Sequence, residues 1–319
     1  MISHLKNAET VLLASHIHPD GDAIGSLVAL GLALSHMGKK VTLFNECPVP
    51  KVYRFIEGVD NITMEIDDFH TFDTAIILDC ADLVRIGDSA KDVAKIPVLI
   101  NIDHHATNTG FGNFKKIETT ACATAEIVYD ILKILDIPIS VGIAEAIYVG
   151  VLTDTGSFRF SNTTKEAFDI SKEMVSLGAN PYKIADHIYG TYSLGSIKLL
   201  HKILGSIEVS KNGKLSVLSL TLDMIDETGT HPEDIIGLVH YAKHIKDVKV
   251  AALIQEAPAT GKCDNGTLFH VSLRSDGSVD VGVIASNYGG GGHPNSAGFS
   301  TKLNYLDLKK QMFKYAETM

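Results

Sequence analysis

The sequence predicts an α/β domain, in which helices flank a mainly parallel sheet, followed by a smaller α+β domain. Over the first 105 residues, short apolar runs alternate with segments of helical spacing. Continuously apolar strands are typical of a parallel sheet that is covered on both faces. Near Gly205 the hydrophobic period changes to two, which indicates the strands of a second domain.

The predicted elements of the first domain follow in chain order. Strands are expected at 11–15, 41–44, 74–78 and 98–102, and helices at 23–37, 52–56, 125–135, 142–152, 165–177 and 181–189. Gly38 ends the first long helix, and Pro138 and Pro181 separate later helices. The strand–helix alternation favours parallel pairing of the early strands.

The second domain is predicted from strands and a turn. Strands are expected at 215–220, 248–254 and 269–273, a turn at Asp264-Asn265-Gly266, and helices at 232–240 and 306–315. Residues 193–204 have the pattern of a helix that could connect the two domains. The expected boundaries are therefore 1–190 for the first domain, 191–209 for the connector and 210–319 for the second domain.

Composition excludes several classes of protein. The chain has 319 residues and a formal net charge of −10, whereas proteins that coat long nucleic acid present a basic face. The four cysteines form no Cys-x-x-Cys pair, which fits a reducing cytosol better than a zinc ribbon or a disulfide scaffold. No apolar run has the length of a membrane span, and no leader pattern is visible. We therefore expect a cytoplasmic location.

Four short segments carry the side chains that most often bind metal ions. They are His16-Ile17-His18-Pro19-Asp20-Gly21-Asp22, Asp79, Asp103-His104-His105 and Asp154. Since the carboxyl ends of parallel strands lie at one edge of a sheet, we expect these groups to converge there. The structural alternatives are an N-cap for Asp22, turn positions for Asp79 and Asp154, and surface histidines for His104 and His105.

The chemistry of these side chains favours divalent ions. Carboxylates mixed with imidazoles suit Mn²⁺, Mg²⁺ or Fe²⁺ better than they suit structural zinc. The four aspartates at 20, 22, 79 and 154 contribute four negative charges, which two divalent ions would neutralise. A neutral site of this kind can accept a phosphate group.

The same segments resemble the motifs of a known family. Residues 16–26, 78–80, 103–105 and 153–156 resemble the four motifs of the DHH phosphoesterase superfamily. Residues 289–299, together with Leu273-Arg274-Ser275, resemble its DHHA1 domain. The nearest type within the family combines nano-RNase activity with hydrolysis of 3′-phosphoadenosine-5′-phosphate (pAp).

The resemblance implies a role for each matching residue. It implies two metal ions, with Mn²⁺ preferred over Mg²⁺ or Fe²⁺. The implied ligands are His16, Asp20 and Asp79 for one ion and Asp22, Asp79, His104 and Asp154 for the other, so that Asp79 bridges. His105 would contact the scissile phosphate and Asp103 would orient the neighbouring imidazoles. His18 is not expected to be a ligand, since the spacing favours His16.

The implied substrate-binding residues lie near the end of the chain. They are Arg274, Ser275, Gly290, Gly291, Gly292 and His293, which in the family face the metal site across a cleft. By themselves these residues are weaker signals. A four-glycine run can be a flexible linker, and an arginine at a strand end can form a surface salt bridge.

The implied activity is that of a metal-dependent hydrolase. It would act as a phosphodiesterase on RNA of about two to five nucleotides, releasing mononucleotides, and as a 3′(2′),5′-bisphosphate nucleotidase that converts pAp to AMP. Hydrolysis of pApA or cyclic di-AMP is the alternative within the enzyme class. An inactive nucleotide-binding regulator is the alternative outside it, disfavoured because every ligand position is filled. A homodimer is expected from the resemblance alone.

Overall fold

The computed structural model describes residues 1–190, 193–230, 238–257 and 268–319. Within these ranges, the side chains of His240 and His293 are not described. The chain divides into two compact units, Met1–Thr191 and Tyr192–Met319.

The first unit contains a parallel sheet of six strands. The strands are β1 (Thr10–Ser15), β2 (Lys40–Phe44), β3 (Ile62–Thr63), β4 (Thr74–Leu78), β5 (Val98–Asp103) and β6 (Phe114–Ile117). Their order is β3-β2-β1-β4-β5-β6, and every pair is parallel. The predicted parallel sheet is therefore confirmed. The edge strands β3 and β6 escaped sequence analysis because they are short and lack a continuous apolar run.

Helices cover both faces of this sheet. They are α1 (Ile2–Asn7), α2 (Gly21–His36), α3 (Ala90–Val93), α4 (Thr124–Leu135), α5 (Val141–Asp154), α6 (Lys165–Ser176) and α7 (Pro181–Tyr189). Side chains of β1 alternate between two cores, with Leu13 on the face covered by α2, α4 and α5, and Leu12 on the face covered by α3. Gly25 lets α2 approach α5 closely, since a Cβ atom there would lie 2.4 Å from the carbonyl oxygen of Ala146.

The second unit is an α+β structure around a mixed sheet. Its strands are β7 (Glu208–Val209), β8 (Leu215–Leu220), β9 (Val250–Ala257), β10 (Leu268–Ser275), β11 (Gly291–His293) and β12 (Ser296–Thr301). Its helices are α8 (Leu194–Gly205), α9 (Leu222–Thr228), α10 (Val239–Lys243), α11 (Val281–Ser286) and α12 (Tyr305–Ala316). The strand order is β11-β12-β10-β9-β8-β7, with β8 and β9 parallel and the other pairs antiparallel.

Two expectations about local structure were wrong, and two others lie outside the described residues. The helix expected at 52–56 is a 3-10 turn over Lys51–Tyr53. The alternative of a flexible linker is wrong for part of the glycine run, because Gly291 and Gly292 pair with Gly298 and Ala297 in the β11–β12 hairpin. The turn at 264–266 and most of the helix at 232–240 fall in undescribed segments. None of the helices described is long and apolar enough to cross a membrane.

Candidate metal centre

The register of the parallel sheet brings three of the predicted segments together. Ser15 of β1 lies beside Leu78 of β4, and Leu78 lies beside Ile102 of β5. His16, Asp79 and Asp103 therefore occupy the same edge of the sheet, where ligands bind in open α/β folds. The convergence that the sequence predicted follows directly from this strand order.

Asp79 lies at the centre of the cluster. Its carboxylate Oδ2 is 3.5 Å from Nε2 of His16, and Oδ1 is 3.7 Å from Nε2 of His104 and 3.5 Å from Nδ1 of His105. The side chain is 2% exposed. Its backbone has a φ of 54°, an unusual conformation that Asp adopts more readily than most residues and that is enriched at functional sites.

These separations suit shared coordination of a cation. Ligand atoms that bind one ion at the usual 2.0–2.2 Å stand about 3.0–3.4 Å from one another. The distances from Asp79 to the imidazoles of His16 and His104 are slightly longer than this and too long for strong hydrogen bonds. Carboxylate oxygens with imidazole nitrogens are a donor set for a divalent ion.

The pKa values of two buried carboxyl groups also favour a cation at this place. Burial and, to a smaller extent, the nearby carboxylate of Asp79 raise the pKa of Asp22 to about 7. Burial and the charge of Asp22 also raise the pKa of Asp154 well above its usual value. Carboxyl groups that resist ionisation in this way are those a bound divalent cation would stabilise in the charged form.

The pKa values of His16 and His104 are also raised, which for an imidazole favours the charged form. Burial lowers the pKa of His16, but Asp79 and Asp20 outweigh it and raise the pKa to about 9. Burial likewise lowers the pKa of His104, and Asp154, Asp22 and Asp79 raise it to about 9. The pKa of Asp79 is depressed, because His16, His105 and His104 outweigh the effect of its burial. Protons on these imidazoles would offset part of the negative charge of the carboxylates.

Asp20 and Asp22 differ in the local hydrogen bonds that their carboxylates accept. Asp20 is the N-cap of α2, since its Oδ1 accepts hydrogen bonds from the backbone N–H groups of Asp22 at 3.1 Å and Ala23 at 3.0 Å. The alternative in which Asp22 caps this helix is therefore wrong. Asp22 is buried and accepts hydrogen bonds from the N–H groups of Thr124 at 2.6 Å and Ala125 at 2.9 Å, at the start of α4.

Asp103 is fully buried behind the histidine pair. Its Oδ1 lies 2.7 Å from Nδ1 of His105, and its Oδ2 accepts a hydrogen bond of 2.6 Å from Nδ2 of Asn108. Asn108 also donates to Oδ1 of Asn101 at 2.8 Å. Sequence analysis overlooked Asn108, although a polar residue three positions after a His pair is a usable signal.

Asp154 is the last residue of α5, close to His104. Its Oδ2 lies 3.8 Å from Nε2 of His104 and accepts a hydrogen bond of 3.0 Å from Nδ2 of Asn162. The following residues Ser157 and Phe158 both have positive φ angles, of 62° and 61°. Such strained conformations concentrate at functional sites. Neither Asn162 nor this strained turn was recognised from the sequence.

His18 lies apart from the cluster that includes His16. It is exposed, and its Nδ1 is 3.8 Å from Sγ of Cys47. Its backbone φ of 55° turns the chain between β1 and α2. Among the residues that the structure describes, the group of donors around Asp79 includes His16 and not His18.

In the second unit, the predicted substrate-binding residue Arg274 carries a partly buried guanidinium group. It lies in β10 and is partly buried, and its Nη1 donates to the carbonyl oxygen of Leu273 at 2.9 Å. Burial lowers the pKa of the guanidinium, and no carboxylate of the described ranges forms an ion pair with it. The salt-bridge alternative therefore finds no partner in the part of the chain that is described.

The neighbouring substrate-binding candidates serve local structure as well. Ser275 is buried, and its hydroxyl accepts a hydrogen bond of 3.0 Å from the N–H of Gly277. Gly290 and Gly292 pack against β12, because Cβ atoms there would lie 2.2 Å from the oxygen of Gly298 and 2.5 Å from that of Ser296. A Cβ at Gly291 would meet no atom within 4 Å. The side chain of His293 is outside the described part.

Each of the two units matches a known protein family. Residues 10–151 match the model of the DHH family, N-terminal domain, and residues 212–317 match the DHHA1 domain. A protein of Thermus thermophilus named bifunctional oligoribonuclease and PAP phosphatase NrnA is 30% identical over 300 residues, which cover 93% of this chain and 86% of that protein. The chain belongs to the DHH/DHHA1 family.

Two further members extend the comparison. The Bacillus subtilis protein of the same name is 28% identical over 298 residues, covering 92% of this chain and 89% of that protein. The crystal structure of an exopolyphosphatase-related protein from Bacteroides fragilis superposes with a TM-score of 0.90 at 27% identity, covering 98% of this chain and 95% of the other. Both similarities therefore extend over nearly the whole chain.

Proposed function

We propose that this chain is a metal-dependent phosphoesterase that hydrolyses short RNA to mononucleotides and pAp to AMP. The observation that carries the proposal is the placement of Asp79 within 3.5–3.7 Å of imidazole nitrogens of His16, His104 and His105. Relatives named bifunctional oligoribonuclease and PAP phosphatase support the choice of substrates.

The proposed cofactor is a pair of divalent ions, with Mn²⁺ preferred. His16, Asp20 and Asp79 would hold one ion. Asp22, Asp79, His104 and Asp154 would hold the other. When bound, such ions lower the pKa of a water molecule and neutralise charge on a phosphoryl group. The hard-oxygen and imidazole donor set supports this choice of metal.

The remaining residues of the cluster position and bind the substrate. One oxygen of Asp103 is hydrogen-bonded to Nδ1 of His105, and the other accepts a hydrogen bond from Asn108. The imidazole of His105 is thereby fixed in orientation, as ligating and catalytic histidines commonly are by a buried carboxylate. In the proposal, His105 contacts the scissile phosphate.

The second unit is proposed to bind the part of the substrate that does not react. A partly buried guanidinium such as that of Arg274 suits a phosphate, to which it can donate two parallel hydrogen bonds. Edge strand β11 would add backbone N–H groups of Gly291 and Gly292 that pairing with β12 leaves unused, with Gly290, Ser275 and His293 beside them.

Charge and size support short substrates over long ones. The net charge of −10 gives no general attraction for a polyanion, so binding would rely on local groups such as Arg274. A site that binds a single further phosphate would suit a short molecule better than a long chain. A homodimer and a cytoplasmic location belong to the same proposal, and light scattering would test the dimer.

A substrate panel tests the proposal. Metal-free protein would be supplemented with Mn²⁺ and offered a ribodinucleotide, pAp, cyclic di-AMP and a long RNA in parallel. The proposal expects turnover of the dinucleotide and pAp well above that of the long RNA. Preference for cyclic di-AMP or its linear product pApA would replace the proposed substrates with the alternative ones. No turnover of any substrate would favour a nucleotide-binding regulator.

A further inference from the structure

A segment without a catalytic motif contacts much of the proposed metal centre. Residues 121–125 have the sequence Ala-Cys-Ala-Thr-Ala and lead into α4. We call them the 121–125 segment. Direct or one-step hydrogen bonds link this segment to Asp22, Asp79, His104 and Asp154. These are the four residues proposed to hold one of the two ions.

The carboxylates of Asp22 and Asp79 are both bound by Thr124. Its backbone N–H donates to Oδ2 of Asp22 at 2.6 Å, and its hydroxyl donates to Oδ1 of Asp79 at 3.1 Å. Thr124 is fully buried. The N–H of Ala125 donates to the other oxygen of Asp22 at 2.9 Å. Asp22 therefore accepts hydrogen bonds from two backbone N–H groups in the first turn of α4, which have no acceptor within the helix.

The same segment is also linked to His104 directly and to Asp154 through Asn162. The carbonyl oxygen of Ala121 lies 3.2 Å from Nδ1 of His104, a contact that leaves Nε2 directed toward Asp79 and Asp154. Asn162 donates from Nδ2 to Oδ2 of Asp154 at 3.0 Å and to the carbonyl oxygen of Cys122 at 2.9 Å. The side chains of His104 and Asp154 are therefore both held in place by residues that are not proposed ligands.

The contacts of Asp79 are divided between its two oxygens. Oδ1, which accepts from Thr124, is the oxygen nearest to His104, whereas Oδ2 is nearest to His16. His16 and Asp20 have different supports, since Nδ1 of His16 lies 2.8 Å from the carbonyl oxygen of Ile17 and Asp20 binds the N-terminus of its own helix. The supports of the two sides are thus largely separate.

We propose that the 121–125 segment positions the ligands of the ion on the His104 side, with the Thr124 hydroxyl as its main side-chain contact. The inference rests on the proposed two-metal function. Outer hydrogen-bond partners of metal ligands fix ligand orientation, and their loss commonly weakens metal binding by about 10–100-fold. Thr124 acts through Asp79 and Asp22 and is a positioning residue.

A matched series of variants tests the inference. Thr124→Val removes the hydroxyl but keeps the branched shape and the backbone N–H, and Thr124→Ser restores a hydroxyl. Thr74→Val is the control, because Thr74 is also buried and hydroxyl-bonded, to His4, but begins β4 at the end opposite Asp79. Mn²⁺ would be titrated into each metal-free protein and followed by electron paramagnetic resonance, with thermal denaturation to verify folding.

Two ions are expected to bind to the wild-type chain, and Thr74→Val should bind each of them with the wild-type affinity. Thr124→Val should retain one of these affinities and weaken the other by about 10–100-fold, and Thr124→Ser should recover most of the loss. Wild-type affinities for both ions in Thr124→Val would overturn the inference and leave the proposed function standing. Equal weakening of both ions would overturn the selective role. Failure of the wild-type chain to bind Mn²⁺ would overturn the proposed function, and the inference with it.

Discussion

Oδ1 of Asp103 lies 2.7 Å from Nδ1 of His105, and the carboxylate has no exposed surface. A buried carboxylate of this kind needs donors for both oxygens, and Asn108 supplies the second. The two histidines that follow Asp103 therefore have different surroundings. His104 faces Asp79 and Asp154, while Asp103 fixes the orientation of His105.

Replacement of Asp103 by Asn is expected to lower kcat for a dinucleotide by about 10–100-fold while both Mn²⁺ ions still bind. An amide offers one acceptor oxygen where the carboxylate offers two, so one of the contacts to His105 and Asn108 must be lost. Steady-state kinetics and a Mn²⁺ titration would measure the two effects. The control Asp68→Asn alters an exposed cap of a 3-10 turn and should leave kcat unchanged. An unchanged kcat in Asp103→Asn would show that the orientation of His105 is unimportant.

The stability of the metal-free protein should fall as the pH rises from about 6.5 to about 9. His16 and His104 have pKa values raised from 6.5 to about 9 in the folded chain. Their protonated forms therefore contribute stability that is complete below pH 6.5 and lost as the pH approaches 9. The raised pKa of Asp22 changes stability in the same direction at lower pH.

Bound Mn²⁺ should reverse this trend, because metal ions bind neutral imidazoles and ionised carboxylates. The difference in Tm between Mn²⁺-loaded and chelated protein is thus expected to widen from pH 6.5 to pH 9. Thermal denaturation with excess chelator or Mn²⁺ across this range would measure it. A constant difference would mean that His16 and His104 do not exchange protons for metal.

Gly290→Ala and Gly291→Ala should differ sharply in stability. A Cβ at Gly290 would lie 2.2 Å from the oxygen of Gly298 and 2.4 Å from Cβ of Phe299, whereas a Cβ at Gly291 meets open space. We expect Gly290→Ala to lower the free energy of unfolding by about 1–3 kcal/mol. Gly291→Ala should change it by less than about 0.5 kcal/mol. Urea denaturation would measure both, and equal effects would contradict the close packing of the β11–β12 hairpin.

Arg274→Ala is expected to raise KM for pAp and dinucleotides by about 10–100-fold, the loss of one or two charge-assisted hydrogen bonds. Hydrolysis of a simple aryl phosphate, which lacks the second phosphate or nucleoside, should persist. Arg274→Lys keeps the charge but not the planar pair of donors, so an intermediate KM is expected. Equal loss of both activities in Arg274→Ala would place the residue in the chemistry or the fold instead.

The sequence predicted the parts of the site that depend on strand ends. Apolar runs located β1, β4 and β5, and the polar residues that follow each run had to share one edge once those strands paired in parallel. The convergence of His16, Asp79 and Asp103 needed no knowledge of side-chain packing. Helix α2 was predictable for a similar reason, since its hydrophobic spacing is local.

Contacts between distant segments could not be predicted in this way. Asp22 and Thr124 are 102 positions apart, and their hydrogen bond depends on how α4 meets α2. Local spacing also could not assign the cap of α2 to Asp20 rather than Asp22, because both are acidic residues at its start. The pairing of the glycine run with β12 likewise depends on a close approach of the two backbones, which local sequence patterns do not reveal.

The most direct test of the account replaces Asp79 by Asn and measures Mn²⁺-dependent release of mononucleotides from a ribodinucleotide. An amide at the centre of the cluster cannot compensate two ions, so we expect turnover to fall at least about 100-fold and Mn²⁺ binding to weaken. Asp68→Asn, which removes an exposed charge elsewhere in the first unit, should retain both properties. Undiminished turnover in Asp79→Asn would contradict the proposed metal centre.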